Sequence, residues 1–228
     1  MPILPKLFRK EDLYKVYDSE YDGATVDESE YDTPSSVVDN SKDPHLRCIT
    51  FGQGQEWGIE LIDPPKKSKV KGPIIQSVSG IIGQSKIQEG DVLKSVNGKK
   101  LGPSYDAASS LEFMHQRFQE DGVLSIAVGN KYGNDKLIEV TIIKPKAKMT
   151  CEELGFSIWE WSGLCIRGIR HDSILYSTAL KENDYIQSIN DIKIAGTSVT
   201  PKECVQMVDD LPEIITIIVK RAKQKWTG

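Results

Sequence analysis

The sequence has no long apolar run, few cysteines and no large excess of either charge. None of its apolar segments approaches the roughly 20 residues that cross a bilayer, which excludes a transmembrane helix. The first twelve residues, MPILPKLFRKED, lack both the apolar core and the cleavage site of a secretory signal, so we expect none. The four cysteines occur without CxxC spacing, which favours reduced thiols in a cytoplasmic protein.

Motifs of catalytic, cofactor and metal sites are also missing. The sequence contains no G-x-S-x-G motif, and no cysteine and histidine have the spacing of a metal site. Segment 52–58, GQGQEWG, superficially resembles a dinucleotide-binding loop, but no helix pattern follows it. We therefore predict a protein without enzyme activity, cofactor or bound metal.

The net charge of −4 is unevenly distributed along the chain. Residues 11–43 carry eleven carboxylates against two lysines, whereas residues 44–228 carry a net charge of +2. A nearly neutral folded part disfavours binding to nucleic acid. Because the acidic segment has no apolar periodicity, we predict that residues 1–43 form a disordered acidic tail.

Three tyrosines of this tail, Tyr17, Tyr21 and Tyr31, each precede an aspartate. Tyrosines beside acidic residues in an exposed tail are candidate phosphorylation sites. The alternative interpretation is a tail that only keeps the protein soluble.

From residue 45 onward, the pattern predicts a chain of short strands and two helices. Ten short apolar or alternating segments, separated by Gly, Pro and Asn, predict the strands. Apolar residues at spacings of three and four predict the helices over 104–118 and 200–211. Ser104 and Thr200 are positioned as N-caps, and Pro201 suits the first helical position.

An internal repeat organises this part of the chain. Segment 90–101, GDVLKSVNGKKL, aligns without gaps with segment 183–194, NDYIQSINDIKI. Similar short motifs, EWGI at 56–59 and ELGF at 153–156, precede the two segments at about the same distance. The chain therefore contains two copies of one unit, each under about 100 residues.

The repeated unit resembles a PDZ domain, a small, partly open β-barrel of five or six strands with two helices. ELGF at 153–156 is similar to the family's Gly-Leu-Gly-Phe loop, and segment 90–98 is similar to its Gly-Asp-x-Ile-x-x-Val-Asn-Gly block. In the second copy Asn183 and Asp191 replace the two glycines, which we expect to alter the flanking turns. The compact pair resembles the paired PDZ domains of the Mint adaptors and, less closely, those of syntenin.

The resemblance implies a mainly β fold with two helices per unit, that is, an α+β fold made of two tandem PDZ-like barrels. The expected organisation is a disordered acidic tail at 1–43, a first PDZ domain at 44–130, a second PDZ domain at 136–222 and a basic C-terminal tail at 223–228.

The resemblance also implies a scaffold or adaptor in signalling, which binds the C-terminal peptides of partner proteins, often membrane proteins. In this family a peptide adds as a strand, and backbone amides of the Gly loop hold its carboxylate. The peptide-binding residues implied are Trp57, Gly58, Ile59, Leu61, Tyr105 and Ser109 in the first unit, and Leu154, Gly155, Phe156, Ile158, Pro201 and Val205 in the second.

The first residue of the groove helix sets specificity in this family, and a histidine there selects Ser or Thr in the ligand. The first unit has Tyr105 there, or Asp106 if the register is one residue later. The second has Pro201, or Lys202. Since none is histidine, we expect a preference for hydrophobic C-termini.

Two alternatives stay open. Glu56 and Glu153 lie at the predicted loops, where they would repel a carboxylate, so the units could instead bind internal motifs or other PDZ domains. The lysines of the segment KKSKVK, Lys66, Lys67, Lys69 and Lys71, could contact an anionic phosphoinositide membrane and place the protein at its surface. A solvated loop is the other interpretation of these lysines. We expect no nucleic acid and no small-molecule substrate.

Overall fold

The computed structural model describes residues 44–102, 104–129 and 134–221. The predicted acidic tail with its three tyrosines and the predicted basic tail at 223–228 lie outside these residues. Residues 44–129 are called the first half below, and residues 134–221 the second half.

Strands dominate both halves. The first half contains β1 (Pro44–Gly52), β2 (Trp57–Ile62), β3 (Ile74–Gly80), a 3₁₀ turn (Ile82–Gln84), β4 (Val92–Val96), β5 (Lys99–Lys100), α1 (Ala107–Asp121) and β6 (Val123–Gly129). The second half contains β7 (Asn134–Ile143), α2 (Cys151–Leu154), β8 (Ser157–Glu160), β9 (Leu164–Arg167), β10 (Tyr185–Ile189), β11 (Ile192–Lys193), α3 (Pro201–Asp210) and β12 (Ile214–Lys220).

The predicted α+β fold is confirmed. Each of the ten predicted strands overlaps an observed strand, and both predicted helices are present. The two-residue strands β5 and β11 and the position of the one-turn helix α2 were not predicted. Of the two helices per unit that the resemblance implies, the second half has α2 and α3, whereas the described first half has α1 and a 3₁₀ turn. None of the described helices is long and apolar enough to cross a membrane.

The strands of both halves form one continuous sheet. Within the described residues its order is β2-β3-β4-β6-β1-β7-β12-β10-β9-β8, with β5 beside β4 and β11 beside β10. The two halves join where β1 runs parallel to β7, with Ile49 opposite Thr141. The edges of the combined sheet are therefore β2 at one end and β8 at the other.

The repeated sequence block builds the same hairpin twice, as β4–β5 and β10–β11. In the first hairpin the Asn97 amide donates to Val123 O at 2.9 Å and accepts from Ser125 N at 2.6 Å. In the second, Asn190 makes the corresponding bonds to Ile214 O at 3.2 Å and Thr216 N at 2.6 Å. The repeated asparagine thus ties each hairpin to the last strand of its half.

The prediction that Asn183 and Asp191 alter the flanking turns is wrong. Asn183 and Asp191 have φ values of 67° and 65°, close to the 86° and 74° of the glycines at the same places in the first half. Asparagine and aspartate tolerate this left-handed conformation better than other non-glycine residues, so the turns keep their shape.

Each half has its own apolar core. In the first, Phe51, Ile75, Met114 and Leu124 are fully or almost fully buried. In the second, Leu154, Ile166, Cys204 and Ile217 are buried in the same way. Burying an aliphatic or aromatic side chain of this size stabilises the fold by about 1.5–3 kcal/mol. Cys48 and Ala127 of the first half pack into the core of the second, and Ile143 of the second half packs into the core of the first.

Candidate functional site

The two strands that follow the predicted Gly loops lie at the two edges of the sheet. β2 forms one edge and β8 the other, and each contacts the long helix of its own half, α1 or α3. An edge strand has a row of backbone groups that pair with no neighbour in the sheet. Each half therefore presents a strand edge beside a helix, which is the geometry needed for strand addition.

In the first half, the ladder directs alternate amides of β2 toward the open edge. Ile81 N donates to Glu56 O at 2.9 Å, and on the far side of β3 Ile75 N donates to Asp91 O at 2.8 Å. Because bonding alternates along an antiparallel ladder, the amides of three β2 residues are directed away from β3. These residues are Trp57, Ile59 and Leu61.

The same alternation determines the direction of the Gly58 amide. Gly58 lies opposite Ser79 of β3, and its amide is directed at that strand rather than at the open edge. A carboxylate at the start of β2 would thus meet the amide of Trp57, whereas the ladder directs the amide of Gly58 into the sheet. The binding of a carboxylate by the three consecutive amides of Trp57, Gly58 and Ile59 stays a prediction.

In the second half, the chain itself occupies all three predicted amides. Leu154 N donates to Thr150 O at 2.9 Å, Gly155 N to Glu152 O at 3.0 Å and Phe156 N to Cys151 O at 3.1 Å. These bonds close the short helix α2. The prediction that the amides of Leu154, Gly155 and Phe156 hold a carboxylate is therefore wrong for this structure.

A capping box explains why α2 forms where a loop was predicted. The Thr150 side chain accepts from Glu153 N at 3.2 Å, and the Glu153 carboxylate accepts from Thr150 N at 2.8 Å. Cys151 N donates to Asp209 of α3 at 2.7 Å, which anchors the turn to the groove helix. The Thr-x-x-Glu pattern is a known N-terminal helix signal, and it was missed because the following Leu-Gly-Phe matched the PDZ loop.

Helix α1 begins later than predicted. Its N-cap is Asp106, whose carboxylate accepts from Ser109 N at 2.8 Å, while Ser109 Oγ accepts from Asp106 N at 3.0 Å. The first helical residue is Ala107. Ser104 is therefore not the cap, and neither Tyr105 nor Asp106 is the first helical residue. The reciprocal bonds of the cap fix this register, and Ser109 is engaged in the cap rather than simply lining the groove.

Helix α3 begins as predicted. Thr200 is the N-cap, and Pro201 is the first helical residue. Val205, one turn later, is half-buried, whereas Lys202 is exposed. The register that leaves Pro201 and Val205 as groove candidates is confirmed, and their contact with a peptide stays a prediction.

Two contacts cross the groove between β2 and α1. At the start of β2 the ring of Trp57 lies 4.8 Å from the ring of His115, centroid to centroid. At the other end Asp63, just after β2, accepts from Ala107 N at 2.8 Å through its carboxylate. Between these contacts Ile59 and Leu61 are buried. The groove is therefore bridged at both ends, by the Trp57 and His115 rings at the start of β2 and by Asp63 and Ala107 past its end.

The described residues show no arrangement for catalysis by a thiol or a metal. Burial raises the pKa of the Cys151 and Cys204 thiols, that of Cys204 to about 11, so both stay protonated at neutral pH, whereas a nucleophile needs the thiolate. No group of His, Cys, Asp and Glu among the described residues could hold a metal ion.

Comparisons with known proteins find likeness in structure alone. No model of a known protein family matches the chain, and no curated protein matches it. A structure of INAD PDZ45 in complex with NG2 peptide is 17% identical and has a TM-score of 0.31, over 82% of this chain and 94% of that chain. A complex of INAD PDZ45 and NORPA CC-PBM is also 17% identical, with a TM-score of 0.29, over 80% and 95%.

The chain has a tandem PDZ-like fold. The basis is internal to this molecule: two copies of one hairpin block, each preceded by an edge strand and followed by an N-capped helix. The same comparison within the molecule shows that the two halves differ at the predicted loops. The amide of Trp57 faces the open edge in the first half, whereas the amides of Leu154, Gly155 and Phe156 are bonded within the chain in the second.

Proposed function

We propose that this protein is a non-catalytic scaffold that binds extended segments of partner proteins at the free edges of β2 and β8. The observation that carries the proposal is the position of these two strands at opposite ends of one sheet, each beside a groove helix. Two sites at opposite ends of one continuous sheet would keep two partners apart.

The first half is proposed to bind a C-terminal peptide with its carboxylate at the start of β2. The outward amide of Trp57 supports this as a donor to the carboxylate, while the amide of Ile59, two residues further along the strand, would pair with the backbone of the peptide. The exposed side chain of Glu56 lies beside them and weakens the attraction. We therefore expect weaker dependence on the carboxylate than three amides would provide.

A hydrophobic ligand end remains the proposed preference. The corrected first residue of α1 is Ala107 and that of α3 is Pro201, and neither can donate a hydrogen bond from its side chain to a Ser or Thr of the ligand. Ile59, Leu61 and the half-buried Leu111 of α1 give the first groove an apolar lining.

The second half is proposed to bind internal segments rather than free C-termini. Ile166 N and O both pair with the β10 side, to Asp184 O at 3.0 Å and Asn183 N at 2.8 Å, so the alternation turns the Ile158 and Glu160 amides toward the open edge. These amides can pair with a peptide, while the closed turn at α2 leaves none for a terminal carboxylate.

The test uses the full chain and decapeptides selected from a pooled library that is immobilised through the amino end. Each selected peptide is then made in two N-methylated versions. One version has methyl groups on the backbone nitrogens of the odd-numbered residues, and the other has them on the even-numbered residues. Strand addition uses every second amide of the peptide. One version should lose at least about tenfold in affinity, as expected for two lost hydrogen bonds of about 1 kcal/mol each, and the other should bind nearly as before.

NMR chemical shifts of the backbone amides of the full chain then show where each peptide binds. We expect shifts at Trp57, Ile59 and Leu61 for one class of peptide, and at Ile158 and Glu160 for the other. Equal effects of the two methylation patterns, or shifts confined to other surfaces, would contradict strand addition.

A further inference from the structure

The direction of strand addition decides where the rest of a partner would go. This step rests on the proposed function of the first half. A peptide whose carboxyl end lies at Trp57 must run along β2 with its earlier residues toward Ile62. Since β2 is six residues long, residues more than about six positions before the peptide's end leave the groove past Ile62 and Asp63.

The strand side of this exit is rich in lysine. The segment that joins β2 to β3 contains Lys66, Lys67, Lys69 and Lys71, and all four are exposed. Among the described residues none of them pairs with a carboxylate, since the ion pairs of this half involve other side chains. Four positive charges at this end of the groove are therefore available to a ligand.

The lysine-rich loop is the source of this positive charge. Lys99 is also close to α1, with its ammonium 4.6 Å from the centre of the Phe113 ring, but it lies on the other side of the helix. Phe113 is about half a turn around α1 from His115, the residue that contacts Trp57 of β2. At the other side of the exit, Asp63 accepts from Ala107 N and joins the end of β2 to the start of α1.

The carboxylates at the exit are engaged in helix capping. Asp63 accepts from Ala107 N, and Asp106 accepts from the Ser109 amide and hydroxyl. Four lysines against these two carboxylates and the exposed Glu60, which accepts from Ser77 Oγ, leave the exit with a small excess of positive charge. Such a surface favours an acidic segment through long-range attraction that falls with salt.

The corresponding place in the second half has no such charge. β8 and β9 are joined by only three residues, Trp161, Ser162 and Gly163, and Trp161 is exposed over 69% of its surface. The longer lysine-rich loop is therefore a property of the first groove alone.

We propose that the lysines at the exit of the first groove select partner segments with acidic residues about six to nine positions before the captured carboxyl end. The last residues of the partner fit the groove, and the acidic residues upstream pair with Lys66, Lys67, Lys69 and Lys71. The proposal gives this site a ligand class, a C-terminal peptide with an acidic upstream stretch.

The test compares two decapeptides with the same six C-terminal residues, selected as above. One has four Glu upstream and the other has four Gln. In the full chain at low salt, the Glu peptide should bind about tenfold more tightly, as expected for several exposed charge pairs of a few tenths of a kcal/mol each. The advantage should disappear in 0.5 M NaCl, where the Debye length falls to roughly 4 Å.

Two charge-matched variants locate the effect. The quadruple variant Lys66→Gln, Lys67→Gln, Lys69→Gln, Lys71→Gln should lose most of the advantage of the Glu peptide. The control changes four exposed lysines of the second half, Lys181, Lys193, Lys202 and Lys220, to Gln and should retain it. Equal loss in both variants would mean a general charge effect and would overturn the proposal.

The results distinguish a failure of this proposal from a failure of the proposed function on which it rests. If the Gln peptide does not perturb the β2 amides at all, the proposed function of the first half fails. If both peptides bind at β2 with equal affinity, only the acidic selectivity fails. Vesicles of phosphatidylcholine with phosphatidylserine address the lipid alternative: vesicle binding that requires the four lysines, together with equal peptide affinities, would assign the loop to a membrane and overturn the proposal.

Discussion

The two halves of this protein share a sequence repeat and a hairpin, yet they differ at the head of the groove and at its exit. In the first half, amides of β2 face the open edge and a lysine-rich loop follows. In the second, a closed helical turn replaces the open amides and a short aromatic hairpin follows. The repeat preserves the framework, and the two halves differ in the loops between the repeated elements, which is where the proposed binding sites differ.

The largest expected effect comes from breaking the closed turn of the second half. Gly155 ends α2 with φ of +82°, and an added Cβ would lie 2.6 Å from Ser173 Cβ. Gly155→Ala should therefore lower the free energy of unfolding by about 2–4 kcal/mol, from left-handed strain and overpacking together. Chemical denaturation of the full chain measures it.

The matched control is Gly54→Ala in the first half, where φ is +88° and an added Cβ meets nothing within 4 Å. It should lose only about 1–2 kcal/mol, from the backbone strain alone. Equal losses at the two glycines would mean that the turn is not packed against Ser173 as described.

The repeated asparagines test what the halves have in common. Asn97→Ala and Asn190→Ala each remove two hydrogen bonds to the backbone of the last strand, at a position with φ of 44°. We expect each variant to lose about 2–3 kcal/mol of unfolding free energy. Thermal or chemical unfolding of the two variants side by side should show losses of similar size, with that of Asn97→Ala slightly larger because Asn97 also donates to the exposed Asp121 carboxylate at 2.8 Å. A loss confined to one half would break the structural equivalence of the hairpins.

A smaller effect is expected where the halves meet. Glu139 of β7 is buried, and Lys86 Nζ of the first half lies 3.2 Å from its Oε2. Burial raises the pKa of the Glu139 carboxyl, and the charge of Lys86 opposes this rise only in part. The folded chain therefore keeps this proton over a pH range in which the unfolded chain, with a pKa of about 4.3, has lost it.

Because its pKa is higher in the folded chain, Glu139 makes the folded state less stable as the pH rises. Its contribution to the free energy of unfolding is fully present below about pH 4.3, where the carboxyl is protonated in both states. The contribution is lost as the pH rises through the raised pKa of the folded chain, by at most about 1.4 kcal/mol per pH unit. Glu139→Gln should remove this slope from the unfolding free energy. The exposed Glu182→Gln should leave it in place, and parallel pH profiles for both variants would contradict the assignment.

Much of the fold could be predicted from the sequence because its signals are local. Alternating apolar residues marked the strands, and Thr200 with Pro201 marked the start of α3. Two features depended on contacts that no short pattern contains. The parallel pairing of β1 with β7 joins residues about 90 positions apart, and the direction of each amide depends on which neighbour its strand pairs with.

The candidate site was predicted less well, for a physical reason. The motif Leu-Gly-Phe at 154–156 is compatible with an open loop and with the end of a helix, since glycine adopts the left-handed conformation in both. The choice depends on Thr150 and Glu153, which close a capping box before the motif begins. In the first half, the bonds between Asp106 and Ser109 similarly moved the start of α1 past Tyr105.

The most direct test of the difference between the halves is a titration of the full chain with two selected peptides, each made as the free acid and as the C-terminal amide. One peptide perturbs the β2 amides and the other the β8 amides. We expect amidation to weaken the first by about tenfold, a charge-assisted hydrogen bond contributing about 1.5–3 kcal/mol, and to leave the second unchanged. An equal effect of amidation at both edges, or none at either, would contradict the account.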